Sequence, residues 1–436
     1  MRILLITNEE WNDFVYGNGV LTNWFSGFNA EIAQIYTSPG LPINDICNKY
    51  FQITDSQMLK SIFGGKKAGG QIIKVRDSVE LESAKENAQR KGIYSVMKRV
   101  SMSFNTSVQI IRDFIWLNGR YNTDSLRHFI QDFNPDIVFC PRYISPKLMR
   151  LERLVSSMTK APFVAFTADD EASVPTYGSW LSRIRKRIIH KRFTEHISLY
   201  KHYFMFSQEQ ADEYHAEYGI ETSTLLKCGD FPSSFNPKNV GTPIRLVYAG
   251  RLYCNRWKTL AEIGKALHEI NKHGERMVLD IYTQEALTNE QRKALCPENS
   301  VYIKGSVNPQ QLKEVYRNAD IALHVESMDK KNRLATRVSF STKIIDLMAS
   351  SCAILAVCWN RHCGYQYLRD NDAAFCVDNY SDILPMLQRI VDNPSLVQNY
   401  AQKAYECGRK NHTREKVQKQ IRDKSEELIA KRQANE

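Results

Sequence analysis

The charged residues with the clearest chemical spacing lie in the second half of the chain. Arg251 comes just beyond the apolar run Ile244–Ala249, after Gly250, and Arg256 and Lys258 follow in the same loop. An arginine offers a planar fork of donors and a lysine a compact point charge, and both suit a phosphate or diphosphate. The alternative is a basic surface loop in a basic protein. The position just beyond a predicted strand favours binding of an anion.

A second candidate segment is Ser341, Thr342 and Lys343, which opens a predicted helix. Backbone amides and a lysine at the start of a helix favour phosphate binding. Asp346 lies about one helical turn further on, where its carboxylate could accept hydrogen bonds from ribose hydroxyls. The alternative is an ordinary capped helix, with Ser339 or Ser341 as the cap.

Two segments of the first half also follow predicted strands. Gly17 and Gly19 come after the first apolar run, and glycines there let the backbone approach a ligand closely. They do not complete the three-glycine dinucleotide fingerprint, and a plain turn is the alternative. Asp169 and Asp170 follow the apolar run Phe163–Thr167. Such acids suit a general base or a clamp on sugar hydroxyls, although acids also favour the first turn of a helix.

Short apolar runs alternate with helical patterns along most of the chain, and these elements must position the candidate residues. Most runs are continuously apolar, which is typical of parallel strands covered on both faces. The alternation predicts doubly wound α/β units, in which ligands bind beyond the carboxyl ends of the strands. Strands are expected at 3–7, 136–140, 163–167, 203–207, 244–249, 278–282, 321–325, 353–357 and 374–377.

The chain is long enough for two domains, because 436 residues exceed the usual limit of a single core. A stretch rich in Pro, Ser and Gly between residues 231 and 243 is the expected linker. We therefore expect one Rossmann-like domain over 1–235 and a second over 243–405, with a cleft between them. Residues 406–436 are expected to form a charged helical tail that docks through a sparse apolar stripe.

The composition is that of an ordinary globular protein, with 43% hydrophobic and 25% charged residues. No apolar stretch approaches the roughly 20 residues of a spanning helix, and the N-terminal run is too short for a signal peptide. We therefore expect a cytoplasmic protein. The ten cysteines are scattered, and no second cluster completes a zinc tetrad, so no metal is expected.

The net charge of +11 indicates an anionic partner. Residues 180–201 contain seven Lys or Arg residues with apolar residues at helical spacing, a pattern typical of a helix on an anionic membrane surface. The alternative is a helix docked on its own domain. A second basic and aromatic stretch, residues 90–99, also favours a membrane or lipid-linked partner. No ribonucleoprotein signature, zinc-finger spacing or clear helix-turn-helix is present, so no nucleic acid is expected.

Several of these segments, taken in order, resemble the retaining glycosyltransferase family 4. The resemblance rests on Ala249-Gly250-Arg251 followed by Arg256 or Lys258, and on the segments 318–323 and 341–349. Segments 204–208 and 227–230 are similar to the last strands before the interdomain crossover of that family. The resemblance implies the GT-B fold, in which two Rossmann-like domains face each other.

The resemblance also implies roles for the candidate residues. Arg251, with Lys258 or Arg256, would neutralise the donor diphosphate, which is the leaving group. The amides of residues 341–343 would cradle phosphate, and Asp346 would bind the ribose. No metal or other cofactor is implied, because cations and helix dipoles would stabilise the leaving group.

In the first half, the resemblance implies that Gly17 and Gly19 line the cleft. Many members carry a catalytic-site histidine near the strand that here ends at Thr167, and this chain has Asp169 and Asp170 there. The family often has two glutamates with seven residues between them. The later position is Asp346 here and the earlier one is Val338.

The sequence therefore predicts a hexosyltransferase-type, retaining enzyme. Its partners would be a nucleotide-sugar donor and a saccharide or lipid-linked acceptor. Family resemblance suggests bacterial surface polysaccharide synthesis, with the protein in the cytoplasm or peripheral on the inner face of the membrane. The alternatives are a nucleotide-sugar epimerase and a non-catalytic nucleotide-sugar-binding protein.

Overall fold

A computed structural model describes residues 1–13, 19–72, 106–141, 144–168, 180–295 and 300–436. The chain divides into two compact units. The N-terminal unit comprises residues 1–225 and 418–436, and the C-terminal unit comprises residues 226–417. The division falls at 225/226, whereas the linker was expected at 231–243. The last residues of the chain are part of the N-terminal unit rather than a separate tail.

The N-terminal unit is built on an eight-stranded sheet with the strand order β4-β3-β2-β1-β5-β6-β7-β8. All pairs are parallel except β3 with β4. The strands are β1 (Arg2–Thr7), β2 (Glu31–Tyr36), β3 (Lys49–Gln52), β4 (Gly70–Ile72), β5 (Ile137–Pro141), β6 (Phe163–Thr167), β7 (Tyr200–Met205) and β8 (Thr222–Thr224). The helices are α1 (Val20–Phe25), α2 (Asp55–Ile62), α3 (Thr106–Asn118), α4 (Thr123–Phe133), α5 (Pro146–Ser156), α6 (Trp180–His196) and α7 (Gln208–Tyr218).

The C-terminal unit is built on a six-stranded parallel sheet with the order β11-β10-β9-β12-β13-β14. Its strands are β9 (Ile244–Ala249), β10 (Met277–Tyr282), β11 (Val301–Gly305), β12 (Ile321–Val325), β13 (Ala353–Val357) and β14 (Phe375–Val377). Its helices are α8 (Arg256–Ile270), α9 (Asn289–Leu295), α10 (Pro309–Arg317), α11 (Lys330–Ala335), α12 (Lys343–Met348), α13 (Cys363–Asp370), α14 (Ile383–Asp392) and α15 (Ser395–Asn411). The last helix, α16 (Arg414–Asn435), continues into residues of the N-terminal unit.

Local sequence explains why these elements form. Every residue of β12 and β13 is buried, as a parallel strand covered on both faces requires. Helix α10 begins at Pro309 behind a complete capping box, in which Asn308 and Gln311 satisfy each other's backbone amides. Helix α7 starts at the Ser207 cap and ends at Gly219, whose φ of 66° is the left-handed conformation that favours glycine.

All nine expected strands are present, and the doubly wound α/β prediction is confirmed. The helix expected over 180–201 ends at His196, because Tyr200 and Lys201 already belong to β7. Its second half, with Ile189 and Phe193, is buried, whereas Ile184 and Ile188 are exposed. The second half therefore packs on its own unit, as the alternative expected, and the membrane-surface interpretation of the first half stays a prediction.

Candidate active site

The strand order of the C-terminal sheet reverses between β9 and β12, which lie side by side although two strands separate them in sequence. In doubly wound sheets this reversal opens a crevice at the carboxyl ends of the strands, where ligands bind. Gly250 and Arg251 directly follow β9, and Glu326 directly follows β12. The fold therefore brings both strand ends to the expected binding edge.

Lys343, the first residue of α12, reaches this edge. Its ammonium Nζ donates a hydrogen bond of 2.9 Å to the carbonyl oxygen of Ala249, the last residue of β9. The ammonium also lies 5.5 Å from the centre of the Tyr248 ring. The two segments predicted from sequence to bind phosphate, which are 94 residues apart, thus converge.

Gly250 makes this approach possible. A Cβ atom at this position would lie 1.8 Å from Lys343 Nζ and 3.2 Å from its Cε. The absence of a side chain at Gly250 is therefore what admits the lysine to the end of β9.

Burial at this edge depresses the pKa of Lys343. Burial lowers the pKa of its ammonium to about 8, and the positive charges of Arg256 and Arg251 act in the same direction. The carboxylates of Glu326 and Asp346 oppose them. Lys343 is therefore close enough to both arginines for their positive charges to repel its ammonium. A bound polyanion would relieve this repulsion.

Arg251 presents its guanidinium to solvent. The residue is exposed, and within the described ranges its guanidinium has neither a hydrogen bond nor an ion pair. The loop that carries it is held by the Tyr248 hydroxyl, which donates to the Arg251 carbonyl at 2.6 Å. The neighbouring Leu252 amide donates to the Glu285 carboxylate at 2.9 Å. The loop is thus fixed while the arginine head remains available to a ligand.

Arg256 is committed to a protein partner. Its guanidinium forms a bidentate salt bridge with Glu326, with Nε 2.8 Å from Oε2 and Nη2 2.6 Å from Oε1. Both side chains are nearly buried. The guanidinium also stacks 4.5 Å from the Tyr253 ring. The structure therefore places Arg256 beside the site with its charge compensated by Glu326.

Lys258 and Asp346 lie in the same unit with different surroundings. Lys258 is exposed in the first turn of α8, with its ammonium 5.5 Å from the Trp257 ring. Asp346 accepts hydrogen bonds from Lys227 Nζ at 2.8 and 3.0 Å, so a ribose would have to displace or share that lysine. Val338, where the family often has a glutamate, is buried.

Neither serine caps α12. The residue at the N-cap is Thr342, whose side chain makes no capping hydrogen bond. Within the described part of the chain, the amides of Ser341, Thr342 and Lys343 donate to no backbone carbonyl. The interpretation of this segment as an ordinary serine-capped helix is therefore wrong.

Of the candidates in the first half, only Gly19 lies within the described residues. It precedes α1 with a φ of 45°, a left-handed conformation that favours glycine. Gly17, Asp169 and Asp170 lie outside the described residues, so their binding roles stay predictions, as does that of Gly19.

Two partners of the site were missed by reasoning from sequence. Glu326 has a sequence signal, because it directly follows the apolar run Ile321–Val325 and ligand-binding residues are expected at strand ends. Lys227 carries no such signal, since it pairs with Asp346 across 119 residues.

The described residues contain no cluster of three or more His, Cys, Asp or Glu side chains that could hold a metal ion. None of the helices in the described ranges has the length and apolarity to cross a membrane.

Comparison with known proteins bears on the fold and on the C-terminal half of the chain. A family model described as "Glycosyl transferase-like" matches residues 250–423, which begin at the Gly250 that admits Lys343. Comparison with curated protein sequences finds no match.

Among solved structures, the chain is similar to the sucrose-phosphate synthase of Thermosynechococcus elongatus, with 12% identity and a TM-score of 0.60 over 99% of both chains. It is also similar to the α,α-trehalose 6-phosphate synthase of Burkholderia multivorans, with 10% identity and a TM-score of 0.59 over 100% of this chain and 98% of that one. A UDP-forming α,α-trehalose-phosphate synthase from Burkholderia xenovorans, solved with glucose-6-phosphate, matches at 11% identity and a TM-score of 0.55 over 98% and 100%.

At these identities the likeness concerns the fold. The two Rossmann-like sheets and the C-terminal helices match those of the neighbours over nearly their whole length. The chain therefore has the GT-B fold, and its residues 250–423 are similar to glycosyltransferases.

Proposed function

We propose that this protein is a retaining glycosyltransferase that moves a sugar from a nucleoside diphosphate sugar to a hydroxyl group of an acceptor. The observation that carries the proposal is the meeting of Lys343 with the end of β9, beside the exposed Arg251. Two cations at the carboxyl edge of a parallel sheet form a site that suits a diphosphate.

The proposed catalytic effect is electrostatic. As the bond between sugar and phosphate breaks, negative charge grows on the departing diphosphate. Cations that are already in place stabilise this charge more in the transition state than in the ground state, and such an interaction raises the rate. Lys343 is pre-positioned by Ala249, and Arg251 projects from a loop held by Tyr248 and Glu285.

The remaining candidates receive supporting roles in this proposal. The backbone amides of residues 341–343 would donate hydrogen bonds to the phosphate oxygens. Asp346 would accept hydrogen bonds from the ribose hydroxyls in place of the one from Lys227. Arg256 would keep the local charge balanced through Glu326 rather than contact the donor alone. Lys258 would act as a second outer cation.

The acceptor is proposed to be a saccharide or a lipid-linked saccharide, in bacterial surface polysaccharide synthesis on the inner face of the membrane. The basic charge of the chain and the exposed first half of α6 support this setting. Gly17, Gly19, Asp169 and Asp170 are proposed to contact the sugar or the acceptor.

A donor screen tests the proposal. The purified chain is incubated with UDP-, GDP-, ADP- and dTDP-sugars, with and without free and lipid-linked saccharides, and the products are identified by mass spectrometry. The expected result is a glycosylated acceptor together with free nucleoside diphosphate. Arg251→Ala should slow this turnover by roughly one to three orders of magnitude, because it removes a preorganised charge.

The same screen separates the alternatives. An epimerase would alter the donor sugar without any acceptor, and a binding protein would leave every donor intact. Lys265→Ala is the matched control for Arg251→Ala, because Lys265 is an exposed cation of the same unit that pairs with Glu262 at the surface. Equal turnover by Arg251→Ala and the control would contradict the assigned site.

A further inference from the structure

The N-terminal unit carries an exposed apolar and basic face on three neighbouring helices. Helix α2 packs on α3, and α3 packs on α6. Arg185 of α6 ties the last two together, donating to Asp113 at 2.8 Å and to Gln109 at 2.9 Å. The relative position of these helices is therefore fixed by a shielded ion pair.

Large apolar side chains concentrate on this face. Of the sixteen large hydrophobic residues that are exposed in the described part of the chain, ten lie on α2 and the loop after it, on α3, or on α6. The most exposed are Phe63, Phe114 and Trp180, with 83%, 63% and 64% of their surface in solvent. Monomeric soluble proteins rarely leave so much apolar surface uncovered in one region.

Helix α6 shows the pattern most clearly. Its first nine residues, Trp180 to Ile188, include none that is buried. Trp180, Ile184 and Ile188 recur every four residues and form one exposed stripe. An exposed apolar stripe that is flanked by cations is typical of a helix lying in a membrane interface.

Charge accompanies the apolar residues. Residues 55–67, 106–118 and 180–196 contain ten Lys or Arg residues against three Asp or Glu residues, which accounts for most of the net charge of +11. Next to Phe63, an open groove of about 1020 Å³ is lined by Lys60, Lys66 and Lys67. Cations beside exposed apolar side chains match an anionic lipid surface, where headgroups lie directly above hydrocarbon.

We propose that the face formed by α2, α3 and the first half of α6 docks on an anionic lipid bilayer, with Phe114, Trp180 and Ile184 inserted among the lipids. The same charge disfavours a second copy of the chain as the occupant, because two identical basic faces would repel each other. The proposal concerns where the protein sits and does not depend on its transferase activity.

Vesicle co-sedimentation of the full chain tests the proposal. The vesicles contain phosphatidylcholine alone or with about one third phosphatidylglycerol, which supplies the anionic surface. The expected result is strong binding to the anionic vesicles, weakened at high salt, and weak binding to the neutral ones. No binding to either kind of vesicle would overturn the proposal.

Variants separate insertion from simple charge attraction. The triple variant Phe114→Ser, Trp180→Ser and Ile184→Ser should lose about tenfold or more of the affinity for anionic vesicles. The control is the double variant Leu41→Ser and Leu384→Ser, which replaces exposed apolar residues outside the face and should bind as the wild type does. Circular dichroism confirms that each variant is folded.

Tryptophan fluorescence gives a second reading. The emission should shift to shorter wavelength when anionic vesicles are added, and Trp180→Phe should bind but lose most of the shift. If the emission did not shift and the triple variant bound vesicles as tightly as the wild type, the contact would consist of surface charge alone. That result would overturn insertion. A dimer in solution that the triple variant converts to a monomer would assign the face to a second copy and overturn the proposal.

Discussion

At the scale of single residues, the C-terminal unit places like charges close together at one strand edge. The positive charges of Arg251 and Arg256 both act against the ammonium of Lys343, and Glu326, whose charge favours that ammonium, is paired with Arg256. A site with uncompensated positive charge is less favourable when empty, and it gains more on binding a polyanion.

Replacement of Lys343 tests its share in this effect. Lys343→Met keeps the aliphatic stem and removes the ammonium, so folding should be retained while kcat falls by roughly two orders of magnitude. Steady-state kinetics with the donor identified in the screen give the value. A fall no larger than that of Lys265→Met would show that Lys343 has no catalytic role.

The depressed pKa of Lys343 predicts a pH dependence. Its pKa of about 8 means that the ammonium is charged at pH 7 and largely neutral at pH 9. A diphosphate binds the charged form, so affinity should fall by up to about tenfold between these values. Arginines do not titrate in this range. Calorimetry at both pH values should therefore show this loss in the wild type and little change in Lys343→Met, and a parallel loss in both would refute the assignment.

At the scale of elements, the convergence of β9 and α12 depends on the missing side chain of Gly250. In Gly250→Ala the new methyl group would collide with the flexible end of Lys343 and push it from the Ala249 carbonyl. Since only a flexible tip must move, thermal unfolding should change little, whereas donor affinity should fall as far as in Lys343→Met. A variant with normal affinity would mean that the contact of Lys343 with β9 is dispensable.

The ion pair of Arg256 on α8 with Glu326 at the end of β12 predicts an effect on stability rather than on donor affinity. Arg256→Met leaves the carboxylate of Glu326 buried without its partner, which typically costs about 3–5 kcal/mol. Adding Glu326→Leu should recover much of the loss. Denaturant unfolding measures both, with Lys265→Met of the same helix as the control, since exposed pairs contribute little. Equal stability of Arg256→Met and the control would contradict this role.

Elements with continuous apolar runs were predictable, and others were not. Strands β12 and β13 consist almost entirely of apolar residues and were found, whereas β2 contains Glu31 and Gln34 and was missed. Gln34 is fully buried but its amide is satisfied by Thr7, so a polar residue occupies a core strand at little cost. Such a compensation depends on a distant partner and leaves no local signal.

At the scale of the whole molecule, the last residues of the chain stabilise the N-terminal unit. Residues 418–436 belong to that unit, whereas the residues just before them belong to the C-terminal unit. Ile421 and Leu428 are buried, and Gln418 donates to the carbonyls of Trp24 and Ser26 at 2.8 Å each. Deleting residues 418–436 should therefore destabilise the N-terminal unit by several kcal/mol, the scale for removing two core side chains. Calorimetric unfolding tests this, with deletion of 433–436 as the control. An unchanged unfolding profile would show that the helix contributes no stability.

The architecture was predictable because alternation of strands and helices recurs along the chain. The candidate phosphate-binding segments were predictable because one follows a strand end and the other opens a helix. Arg251 and Lys343 were identified in this way. The pairing of Arg256 with Glu326 and of Asp346 with Lys227 was not, since each joins residues about 70 or more positions apart. Spacing identifies which residues reach an edge of a sheet, but long-range packing decides which of them remain free to bind.

The most direct test of the central claim is calorimetric titration of the wild type, Arg251→Ala, Lys343→Met and Lys265→Ala with whichever of UDP, GDP, ADP and dTDP the wild type binds most tightly. Arg251→Ala and Lys343→Met should each weaken binding by about tenfold or more, while Lys265→Ala should bind as the wild type does. Wild-type affinity in both site variants would show that the diphosphate does not bind at the end of β9.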